Sequence, residues 1–138
     1  PAVTGAQTVG QCEGYPANAQ NVMMPPEVAI RSFANGAIRV IGLDTVEPAC
    51  CWAYLMVQHP LPGEGFAGCA LISMGNELGF AGLDMARLSA SYEPARGLTV
   101  TVPAGWYVPE TGQSEMSPLR VTINQATGSV IADWDGAE

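Results

Sequence analysis

The residues of this 138-residue chain best able to do chemistry are four cysteines and a lone histidine. Cys12, Cys50, Cys51 and Cys69 are even in number, which allows two disulfides in three pairings. Joining Cys50 to Cys51 needs a strained vicinal ring. At the start of a strand their side chains would point to opposite faces, so the pair could not share partners on one side. One disulfide with two buried free thiols is therefore as good a reading as two disulfides. No Cys-x-x-Cys knuckle occurs and His59 is the sole imidazole, so no metal site is expected. His59 follows Cys51 by eight residues and precedes Pro60. A Cys–His nucleophilic pair needs contact and an orienting third group, and spacing alone supplies neither. His59 reads as a solvated or hydrogen-bonded residue at a strand end.

Thirteen carboxylates offer many pairs that could serve glycoside hydrolysis in a cleft, so their presence alone decides nothing. Asp133-Trp134-Asp135-Gly136 resembles part of a calcium loop but lacks the twelve-residue ligand series and its closing Glu. It reads as a solvated tail. No phosphate-binding loop, nucleophile elbow, zinc-protease helix or dinucleotide fingerprint occurs. The expectation is a non-enzymatic protein with no catalytic residue and no cofactor.

Aromatic and sulfur-bearing residues suit contact better than catalysis. Trp52, Trp106, Tyr107 and Trp134 could form a carbohydrate platform, but Trp52 lies in the most apolar segment and reads as core. Trp106 and Tyr107 stand between Pro103-Ala104-Gly105 and Pro109, which predicts a loop pair available to a protein or a sugar. Met23-Met24-Pro25-Pro26 predicts an exposed apolar stretch, and methionine adapts to irregular surfaces. Met23, Met24, Trp106 and Tyr107 are the expected partner contacts.

The elements that must position these residues read as strands. From Pro1 to Pro26 there is no periodicity, and Pro16, Pro25 and Pro26 break any helix, which predicts an extended arm over 1–26 and a β domain over 27–138. Asn35-Gly36 between 28–34 and 37–43 is a strong hairpin signal. Cys51 to Val57 is apolar on both alternating faces, as a buried central strand is. Phe66 to Met74 predicts the next strand. The stretch from Asn76 to Tyr92 fits strand with a short helix as the exception, because Gly79 and Gly82 weaken a longer helix. Leu98, Val100 and Val102 alternate with threonines up to Pro103, and Leu119, Val121 and Ile123 alternate similarly. Gly128 takes the left-handed position of a turn into Ser129 to Trp134. About seven short antiparallel strands predict an all-β sandwich or barrel.

Composition bounds the function. Five arginines, no lysine and thirteen acids give a net charge of −8, which excludes a basic nucleic-acid face. No segment has the ~20 apolar residues of a membrane span. Charged residues make up 13%, against about 25% in an ordinary soluble domain. Interface cores are depleted of charge, lysine above all. The expectation is a homo-oligomeric structural subunit of a large assembly, a virion capsid, decoration or tail-associated protein, with copies of itself or other subunits as partners. The alternative is a secreted or periplasmic disulfide-bearing sandwich that binds a glycan or an envelope protein. Pro1 fits removal of an initiator Met as well as signal-peptide cleavage.

Overall fold

A computed structural model describes residues 8–75 and 78–136. Two antiparallel sheets pack face to face, the architecture expected from the alternating strands. The first contains β1 (Thr8–Gln11), β2 (Ile30–Phe33), β3 (Ile38–Asp44), β4 (Ala53–Pro60) and β5 (Ala67–Ser73), in the order β1-β5-β4-β3-β2. The second contains β6 (Ser89–Glu93), β7 (Gly97–Val108), β8 (Gln113–Asn124) and β9 (Ser129–Trp134), in chain order. The strands number nine among the described residues rather than about seven. The unforeseen addition is β1, inside the expected arm; β6 and the short 3-10 turn before it fall mostly in the 76–92 stretch expected to be strand with a short helix as the exception.

Alternation on each strand builds the core. Val40, Leu55, Val57 and Ile72 from the first sheet meet Val100, Val102, Leu119, Val121 and Ile123 from the second, all fully buried. The central strands β3 and β4 are also apolar on their other face, where Ile41, Leu43, Tyr54 and Met56 form a second cluster. Sheet faces of that kind must be covered. Val22, Ala17 and Cys12 supply the cover. β1 adds to the sheet edge beside β5, with Val9 opposite Ile72 and Gln11 opposite Ala70. Tight 3-10 turns at Tyr15–Ala17 and Ala19–Asn21 then fold the chain over the outer face. Buried Asn21 fixes them by donating from Nδ2 to Tyr15 O at 2.8 Å. The expected extended arm is, from residue 8 onward, part of the body; residues 1–7 lie outside the described residues. The physical reason is the two-sided hydrophobicity of β3 and β4, whose outer face this segment covers.

A one-turn helix α1 (Pro26–Ala29) leads into β2. The turn after β2 has three successive residues of positive φ, Ala34, Asn35 and Gly36, so Phe33 pairs with Ile38 across four residues rather than two. Between β5 and β6 the chain passes from one sheet to the other. Phe80 bridges to Ala53 at the start of β4, and Leu83 bridges to Ala104 of β7. Gly79 lies so close to β4 that a Cβ there would sit 2.6 Å from Ala53 O. Phe80 is fully buried between the layers. A 3-10 turn at Met85–Arg87 completes the crossing.

Candidate functional site

All four cysteines are bonded. Cys12 pairs with Cys69, tying the end of β1 to β5. Cys50 pairs with its neighbour Cys51 in the bend before β4. The reading with two free thiols is corrected: Cys50 and Cys51 precede the strand, so the alternation that would separate their side chains does not apply to them. Cys51 and His59 lie at opposite ends of β4, separated by roughly 26 Å of extended chain. They form no nucleophilic pair. His59 is 5% exposed, with Nδ1 3.0 Å from Pro60 O.

Asp133 faces Arg120 across the β8–β9 pair, with Oδ2 3.9 Å from Nη1, and both side chains are exposed. Asp133, Asp135 and the other acids form no group of three possible metal ligands among the described residues. Trp134 is core, 1% exposed. Its ring meets Phe80 edge-on at 4.9 Å and Trp106 at 6.1 Å, and its Nε1 donates to Ser117 O. Trp52 is half-buried against the same core.

Trp106 and Tyr107 are strand residues rather than a loop pair. Pro103 does not end β7, because it stands opposite Pro118 and the strand pairs on to Val108 and Gln113. Neither proline has a donor to lose from that pairing. Pro103 O accepts from Asp84 N at 2.9 Å instead, so the crossing segment takes the place of β6 along this half of β7. Alternation then divides the two aromatics: Trp106 turns inward to Trp134, and Tyr107 turns outward, half exposed. The methionines divide similarly. Met23 packs against the core, its Sδ 3.0 Å from where a Gly42 Cβ would sit, whereas Met24 is largely exposed.

What remains outward is a face of the second sheet. Tyr107, Pro103, Thr101 and Thr99 of β7 lie beside Ser114, Met116, Pro118, Arg120 and Thr122 of β8. Ile131 of β9 continues the row beyond Thr122. Thr99 and Thr122 share a hydroxyl–hydroxyl hydrogen bond of 3.0 Å. Met116 and Ile131 are at least half exposed. Arg120 and Asp133 are the charges of these rows, and they pair with each other. Sequence reasoning found Tyr107 and missed Met116 and Ile131. The available signal was the parity of β8, since Met116 and Pro118 share the phase of Arg120 and Thr122. Family models, curated proteins and solved structures were compared with the chain, and none matches. No helix among the described residues is long and apolar enough to cross a membrane.

Proposed function

We propose that this chain is a non-enzymatic binding module that works outside the cytoplasm and contacts an envelope protein through the outer face of its second sheet. The observation that carries the reading is the contrast between the two outer faces. The N-terminal segment covers the outer face of the first sheet, while the outer face of the second carries Tyr107, Met116, Pro118 and Ile131 with its charges neutralised in pairs. A charge-poor face with an aromatic and methionine suits protein contact better than a glycan, which a single exposed tyrosine would hold weakly. The compartment is supported by the bonded state of every cysteine, since disulfides persist in oxidising surroundings.

The test places a photo-crosslinking residue at position 116 in the native host. One envelope protein is expected to be captured, and Tyr107→Asp in the same chain to abolish capture. Crosslinks only to glycan, or none from position 116 while the exposed control position 13, on the N-terminal segment, reacts, overturn the proposal. A second reading keeps the chain as a subunit of an assembly such as a virion, with a second copy on this face. The low charged fraction of 13% favours it. Self-crosslinking at position 116 would select that reading.

A further inference from the structure

The inner surface of β5 is built from small residues where it passes the end of β4. Gly68 stands opposite His59, and Ala70 stands opposite Val57. Antiparallel partners point to the same side, so all four face the gap between the sheets. The room left by the missing side chain of Gly68 is taken by the His59 ring and Leu61. Beside them opens a cleft of about 480 Å3, within the usual range for small-molecule sites, about 300–1,000 Å3. Val9 of β1 and Val130 of β9 wall it on two sides, and Leu61 and Phe66 reach over it from the loop between β4 and β5. Phe66 is 67% exposed at the mouth.

His59 is the one deeply buried polar side chain of the lining. A carbonyl oxygen only accepts, so the contact with Pro60 O puts a proton on Nδ1; in the tautomer with that single ring proton, Nε2 is an acceptor. The Cε1–Nε2 edge lies against Gly68: a Cβ on Gly68 would sit 2.7 Å from Cε1 and 2.9 Å from Nε2. No group among the described residues donates to Nε2. A buried acceptor of this kind calls for a partner, and none is present among the described residues. No charged side chain among the described residues lines the cleft, so an ionised ligand would lose its hydration there without a counter-charge from them.

We infer that this cleft binds an uncharged, ring-bearing small molecule carrying one hydroxyl or N–H donor. The ring packs on Phe66, Leu61 and Val130, and the donor reaches Nε2 of His59. Gly68 is what allows the imidazole edge to lie in the lining of the cleft.

His59 is the only histidine of the chain, so its imidazole NMR signals need no assignment. The experiment titrates the wild-type protein with phenol and with anisole, which has the same ring but no donor. Phenol is expected to shift the His59 signals saturably and to bind about fivefold more tightly than anisole, the worth of one net hydrogen bond. Phe66→Ala, at an exposed position, is expected to weaken phenol about threefold through lost apolar contact. Tyr107→Ala, on the opposite side of the second sheet, leaves binding unchanged. No saturable shift in the folded wild-type protein, equal affinity for the two probes, or an inert Phe66→Ala each overturns the inference.

Discussion

Trp134 is held on several sides at once, by Phe80, by Trp106 and by the carbonyl of Ser117. Gly136 lies against the same indole so closely that a Cβ would clash with the ring. Replacing Trp134 with Ala is expected to cost about 3–5 kcal/mol, a large part of the roughly 5–15 kcal/mol available to a domain. A urea unfolding curve checks it. Met23 and Met24 give a finer test. Met23 fills space over Gly42 beside Met85, so Met23→Ala is expected to cost about 2 kcal/mol. Met24→Ser, at an exposed position, is expected to stay within about 0.5 kcal/mol. The adjacent residues look alike in the sequence. Their difference depends on Gly42, a distant residue whose missing side chain makes room for one sulfur. The burial of His59 was equally illegible, because it depends on Gly68 across the sheet.

Strand periodicity gave away most elements. β7, β8 and β9 were readable because polar and apolar residues alternate cleanly, and the buried character of β4 was readable because both its faces are apolar. Two elements were misread for physical reasons. β7 continues past Pro103, since the proline faces another proline and its carbonyl is satisfied by the crossing segment. β1 has no periodicity of its own and owes its conformation to the edge of β5 and to Cys69. The Cys12–Cys69 bond closes a span of 57 residues, whereas Cys50–Cys51 closes no loop. Loop-closure entropy therefore puts about 4 kcal/mol on the former as an upper figure. The double substitution Cys12→Ser with Cys69→Ser is expected to lower unfolding free energy by about 2–4 kcal/mol. It is also expected to speed amide exchange at Val9, Gly10 and Gln11 ahead of the other strands, because the unclipped edge opens locally. Uniform acceleration across both sheets would contradict the assignment of β1 as a clipped edge.

At the scale of the molecule, shortage of charge and covering of surface are linked. The first sheet hides its second apolar face under its own N-terminal segment, so that segment is not free to dock on a neighbour. Low charge alone therefore does not require an assembly; part of it reflects a chain that buries both faces of one sheet. Light scattering at micromolar concentration is expected to give a monomer, and a stable oligomer would move the account to the assembly reading. The proposed function puts the sandwich in an oxidising compartment, with β1 fastened covalently to β5 by Cys12–Cys69. That compartment is tested most directly by counting thiols in protein taken from its native source, trapped with an alkylating agent at lysis and denatured. The account expects no reactive thiol before reduction and four after it. Four reactive thiols before reduction would contradict it.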